Sequence, residues 1–281
     1  MKLLSQSIFI AVAALGLGLF GCSDEPEIPK EEVALEVLSS DLSALKTIHE
    51  QLGVDAEDYP VQWNPEDMST WKNAGITLDT ITDEESQQNY LAVASITVYL
   101  TQKEERLPFG LLRLNSLKDL KVYGCAGSYF DGELIPTTVT SLLVDRLNPD
   151  DPGYIIGDTD DKDGTVILGR MKAVFSRLIM HGVDMKGINC IVHLNAEIID
   201  LSHNTLEGVI PYNLDILEIP ANLSYNRYKT VYWDHWEYAK HVPIVQYNLI
   251  EDIPEEILKS DFWKEHHENF IGNPGYKAPE Q

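Results

Sequence analysis

Asp200, Ser202 and His203 are the residue types of a hydrolase triad, in which a carboxylate orients an imidazole that takes the proton of a hydroxyl. Neighbouring residues on an extended segment point to opposite faces, so these three cannot converge as orienter, base and nucleophile. G-x-S-x-G, H-E-x-x-H, C-x-x-C and phosphate-loop patterns are all missing. His266-His267 and the pair His235/His241 lack a regular ligand spacing. No catalytic role is therefore expected of this chain. Asp158, Asp160, Asp161 and Asp163 crowd ahead of Gly164 in LNPDDPGYIIGDTDDKDGTVILGR, and such carboxylate density suits Ca²⁺ and its hard oxygen ligands. Aligning Gly164 with the glycine of an EF-hand loop, however, puts Thr159 first and Arg170 where a bidentate Glu belongs. The expectation is a solvated hairpin tip without metal or other cofactor, Ile155-Ile156 pairing with Val166-Ile167-Leu168. Calcium on the four aspartates is the alternative.

The elements that must position these residues are legible around Ala196 to Pro211, AEIIDLSHNTLEGVIP. Ile199 and Leu201 alternate with Ile198, Asp200 and Ser202, so a short strand points the first pair inward and shows the others to solvent. Asn204 turns the chain off the strand, its amide able to bond backbone groups that the bend leaves without partners. Gly208 relaxes the backbone and Ile210-Pro211 begins the return. The segment resembles the plant-type leucine-rich repeat, L-x-x-L-x-L-x-x-N-x-L-x-G-x-I-P, with Ala196 in the first leucine slot. One such unit cannot bury its own apolar edge, so stacked copies are required.

Residues equivalent to Ile199 recur at Ile96, Leu120, Leu142, Leu178, Ala221 and Val242, giving intervals of 24, 22, 36, 21, 22 and 21 residues. Five of the six suit this repeat class, and the long one holds the acidic insertion, 148–165. Residues 107–122, LPFGLLRLNSLKDLKV, are the second strong copy, with Cys125 in the Asn slot. The resemblance implies an α/β solenoid of about seven short parallel strands lining a concave face, with repeats over 93–254.

A cap should close each end. Leu38, Leu42, Leu45, Ile48 and Leu52 recur at helical spacing over 33–53, with Gly53 as the stop. Asp41, Ala44, Leu45 and Ile48, followed by Trp63, Trp71, Gly75 and Ile76, resemble the N-terminal cap of plant leucine-rich repeat ectodomains without its paired cysteines. An N-terminal cap is thus expected over 33–92, its tryptophans covering the apolar end of the solenoid. A C-terminal cap is expected over 255–281, where EEILKSDFWKEHHENF reads as a short helix and the F-x-G-N-P ending resembles the exit of plant-type repeat domains. Cys125 and Cys190 sit two repeats apart on different faces, beyond disulfide reach, and are expected as buried free thiols.

Residues 1–21 have a short basic start and an apolar core from Ile8 to Phe20, the pattern of an export signal. Leu19-Phe20-Gly21-Cys22 resembles a bacterial lipobox, which implies cleavage before Cys22, diacylglycerol on its sulfur and a membrane anchor through the acyl chains. Residues 22–32 are an acidic, proline-containing tether. Ser23-Asp24-Glu25 after the cysteine looks like the surface-export signal of Bacteroidetes lipoproteins, implying an outer-membrane lipoprotein exposed on the cell surface.

The net charge is −24, from 45 acidic and 21 basic residues, which argues against a nucleic-acid partner because phosphate binding draws on a Lys/Arg excess. What remains for function is the outward strand face. Its central row reads Thr97, Lys121, Leu143, Ile179, Asp200, Asn222 and Pro243, and the next reads Tyr99, Tyr123, Asp145, His181, Ser202, Ser224 and Val245. Tyr and His there suit recognition of a partner, so Tyr99, Lys121, Tyr123, Asp145, His181, Asp200, Ser202 and Asn222 are the expected ligand-binding residues. The reading is a non-enzymatic module that binds a protein. The alternative is a glycan-binding accessory lipoprotein of a nutrient-uptake or adhesion system, using Tyr225, Tyr228, Tyr232, Trp233, Trp236 and Tyr238 as sugar platforms.

Overall fold

The computed structural model describes residues 35–84, 86–157, 171–185, 187, 196–210, 220–236 and 241–279. Cys22, Cys190, Tyr238 and the aspartates at 158, 160, 161 and 163 lie outside them. The chain is a leucine-rich-repeat-like β-solenoid. Its main sheet runs β1 (Thr77–Thr82), β2 (Asn89–Leu100), β3 (Asp119–Gly124), β5 (Ser141–Arg146), β7 (Arg177–Met180) and β9 (Ile198–Asp200), in that order. From β2 onward every pairing is parallel, with Ile96 opposite Leu120, Leu120 opposite Leu142, Leu142 opposite Leu178 and Leu178 opposite Ile199. The expected anchors therefore form one ladder across the long interval. Two single bridges continue it, Asp200 with Asn222 and Asn222 with Ile244. Seven repeats thus share the sheet, five as strands and two as bridging residues. Ile96, Val98, Leu120, Val122, Leu142, Val144, Leu178, Met180, Ile199 and Leu201 all point inward and are buried, each contributing roughly 1.5–3 kcal/mol as an upper bound.

Shorter parallel ladders run along the flank. β4 (Tyr129–Phe130), β6 (Ile155–Gly157) and β8 (Val183–Asp184) form one, and β10 (Glu207–Ile210) with β11 (Arg227–Val231) another. This corrects the hairpin expected of the insertion: Ile155 pairs with Val183 and Ile156 with Tyr129, and Ile155 is fully buried. Burial against neighbouring repeats outweighs a local turn, so the segment starts as an ordinary repeat flank.

An asparagine ladder ties the later repeats. Asn226 accepts the Leu206 N–H (3.0 Å) and donates to the carbonyls of Leu201 (2.9 Å) and Leu223 (3.0 Å). Asn204, Asn248 and Asn273 repeat this, accepting from Val183, Tyr228 and Ile250. The ladder corrects the last repeat. Asn248 follows Val245 by three residues, as Asn226 follows Leu223, so Pro243 and Val245 face inward while Ile244 and Gln246 face out. The run Val242-Pro243-Ile244-Val245 is apolar throughout and its alternation cannot choose a register; the buried amide does.

Helix α1 (Ser39–Leu52) ends on Gly53 in the left-handed region, φ 58°. It is shorter than the pattern 33–53 suggests because Val37 and Leu38 join the sheet against Leu91. Asp41, buried on the helix, accepts the Val93 N–H at 2.8 Å and so pins α1 to β2. Gly110 makes room for the helix, since a Cβ there would meet Ile48 Cγ1 at 2.8 Å. Trp63 and Trp71 are buried in the same core. β1, an antiparallel edge strand that the repeat pattern did not announce, pairs with β2. A short helix α2 (Trp233–Trp236) precedes the last repeat, and at the other end α3 (Glu255–Leu258), α4 (Asp261–His266) and a 3-10 turn, His267–Phe270, replace the single expected helix. Ser260 breaks the run by accepting the Trp263 N–H as the N-cap of α4. The following turn extends the main sheet: Val245 N–H donates to Asn269 O and Tyr247 N–H to Ile271 O. Cys125 is a free thiol, half-buried rather than buried, and burial pushes its pKa up.

Candidate ligand-binding face

The strand alternation puts the expected residues where they were expected, with one exception. Tyr99, Lys121, Tyr123, Asp145, His181, Asp200 and Asn222 are half-buried on the outward side, whereas Ser202 is buried. β9 stops at Asp200 because that side chain accepts the Ser202 N–H at 3.0 Å, and Asn222 does the same for Ser224 at 3.1 Å. These turns end the alternation, so Ser202 and Ser224 leave the exposed row.

Two groups assemble from the expected set. Tyr99 and Tyr123 stack at 5.6 Å, with Tyr59 of the N-terminal cap edge-on to Tyr99. The Tyr59 hydroxyl donates to the Tyr99 carbonyl at 3.2 Å, so this end is partly structural. The second group is His181 between two carboxylates, with Nδ1 3.5 Å from Asp145 and Nε2 3.3 Å from Asp200. Those two contacts hold the imidazole as a cation, its pKa pushed up to about 9 against the opposing effect of burial. Burial works against ionisation of Asp200, but its bonds with His181 and Ser202 prevail and keep the carboxyl well below the usual range. Asp200, Ser202 and His203 do not form a catalytic relay. Asp200 is engaged by His181 and Ser202, and the His203 ring stacks on Tyr225.

His203 belongs instead to a feature that strand alternation does not reveal. His203, Tyr225 and Tyr247 each immediately precede a ladder asparagine, and each has a left-handed backbone, φ 59°, 57° and 55°. Their rings stack face to face, His203 on Tyr225 at 4.3 Å and 9°, Tyr225 on Tyr247 at 4.6 Å and 13°. This is close to the spacing of about 4.8 Å between paired strands, so the sheet itself sets the stack. All three are exposed. Glycine holds the equivalent position in the flanking repeats, Gly182 (φ 65°) and Gly272 (φ 82°). A side chain at Gly182 would collide with Arg146, and one at Gly272 with the Tyr247 ring. A glycine-bounded column of three aromatic rings results, with His181 edge-on to its first member at 6.2 Å. Burial, then His181 and Arg146, lower the pKa of His203. The available signal was the aromatic before Asn in LSHN, LSYN and VQYN.

The proposed sugar platform is largely core. Tyr228, Trp233 and Trp236 are buried, which leaves Tyr225 and Tyr232 exposed. Tyr225 has both faces covered, by His203 and Tyr247.

No protein-family model matches this chain, and no curated protein does. Among solved structures it is similar to the leucine-rich repeat ectodomain of the receptor kinase SOBIR1 from Arabidopsis thaliana. The two are 19% identical with a TM-score of 0.33, over 85% of this chain and 96% of that one. A likeness of that size adds nothing to the solenoid that the strand register already establishes.

Proposed function

We propose that this chain is a non-enzymatic, surface-anchored repeat protein that binds a protein partner through the outward face of its main sheet, with His203, Tyr225 and Tyr247 at the centre of contact. The observation that carries the reading is the column's backbone. A left-handed conformation costs a side-chain-bearing residue roughly 1–2 kcal/mol, and Gly182 and Gly272 mark the residue that avoids the cost. Ring stacking returns about 0.5–1.5 kcal/mol per pair, which offsets the strain only in part. Strain kept at exposed aromatic residues is a mark of function, and tyrosines are favoured contacts in protein interfaces. A sugar platform needs a free ring face, and the stack leaves ring edges and hydroxyls instead. The anchor proposed is the acylated Cys22, supported by the apolar segment and small residue ahead of it.

Cross-linking capture with the wild-type chain and with His203→Gly/Tyr225→Gly/Tyr247→Gly, beside a glycan array, tests this. Protein partners lost from the variant are expected. Partners retained by the variant would refute the face, and glycan binding without a protein partner would favour the carbohydrate reading.

A further inference from the structure

Resting on the partner-binding reading above, we infer that the column receives a polyproline II segment of its partner, an uncharged, proline-containing stretch lying along the solenoid axis. Three properties of the column select this occupant. The first is its period. The ring spacings of 4.3 and 4.6 Å span 8.9 Å, and a polyproline II helix repeats every three residues, over about 9.3 Å. An extended strand returns a side chain to the same side every ~6.7 Å and an α-helix turns every ~5.4 Å, so neither keeps step with three rings. The second is hydrogen bonding. Polyproline II leaves its carbonyls without internal partners, and among the described residues the hydroxyls of Tyr225 and Tyr247 donate to nothing, while both side chains are nearly half exposed at 45% and 47%. Ring edges, the positive side of the aromatic quadrupole, also suit carbonyl oxygens. The third is charge. Charged groups gather at the His203 end of the column, where His181, Arg146, Asp145 and Asp200 lie. Asn222, Ile244 and Gln246, which precede the two tyrosines on the outward side, are uncharged in a chain of net charge −24, so the tyrosine end is where a neutral segment can approach without an ionic partner. A preformed helix also loses little entropy on docking against aromatic side chains.

The test is a random 12-residue peptide display library selected on the full chain, then titration of the enriched peptides and of decaproline against the wild type, Tyr225→Gly/Tyr247→Gly and Tyr225→Phe/Tyr247→Phe. Glycine is the residue already tolerated at this backbone position, and urea unfolding of each variant checks its fold. Enrichment of prolines three apart is expected, with affinity at least tenfold lower for the glycine variant and an intermediate loss for the phenylalanine variant, which keeps the rings and removes the hydroxyls. Enriched peptides that need the tyrosines but lack proline would overturn the polyproline assignment and leave the binding face standing. Peptides held equally by the glycine variant, or no enrichment, would overturn both.

Discussion

Replacing Asn226 by Ala should lower the stability of the solenoid by about 3 kcal/mol, and its partners show why. Three carbonyls that accept from the Asn226 amide keep a second donor: Leu201 O from Asn204, Leu223 O from Asn248, and Ser224 O from the His203 N–H. The Leu206 N–H is different, since the Asn226 carbonyl is its acceptor at 3.0 Å. The substitution therefore orphans one buried donor, at roughly 1–3 kcal/mol, and removes bonds worth about 1 kcal/mol net. Asn226→Asp separates the two terms. It keeps an acceptor for Leu206 but turns a carboxylate onto three carbonyl oxygens, so it should destabilise at pH 7 at least as much as Ala and recover towards pH 5 as the carboxyl takes up a proton and donates. Urea unfolding followed by circular dichroism at both pH values measures this. A loss below 1 kcal/mol for Ala, or wild-type stability for Asp at pH 7, would show that the ladder amides are incidental to the fold. Because Tyr225 precedes Asn226, the same variants should also loosen the aromatic column.

Three other outcomes are expected. Asp41→Ala, which orphans the buried Val93 N–H, should cost about 1–3 kcal/mol in urea unfolding while Asp41→Asn retains most of the stability. His181, raised from 6.5 to about 9 by its two carboxylates, contributes stability that is complete below the unfolded value and is lost as pH rises through about 9. Unfolding free energies at pH 6, 8 and 9.5 should fall by up to about 3 kcal/mol, and His181→Gln should flatten that decline. Cys22→Ser should abolish lipidation and move the chain from the membrane to the soluble fraction, with an acyl mass on the wild type alone.

The main sheet was legible in the sequence because its constraint is periodic. A repeat that must bury Ile199 and Leu201 repeats their spacing, and the anchors from Ile96 to Ile199 meet in one ladder across the acidic insertion. Where the pattern was apolar on both faces, as in Val242-Pro243-Ile244-Val245, periodicity had nothing to distinguish, and the register was decided by Asn248 reaching the carbonyls of Leu223 and Val245. The site divided in the same way. Alternation placed Tyr99, Tyr123, Asp145 and His181 outward, but it cannot follow a chain that leaves the strand. Ser202 became buried and His203 exposed once Asp200 captured a backbone N–H and the next residue turned left-handed. Stacking His203 on Tyr225 and Tyr225 on Tyr247 needs residues about twenty apart to share one axis, and only the superposition of repeats in space supplies it.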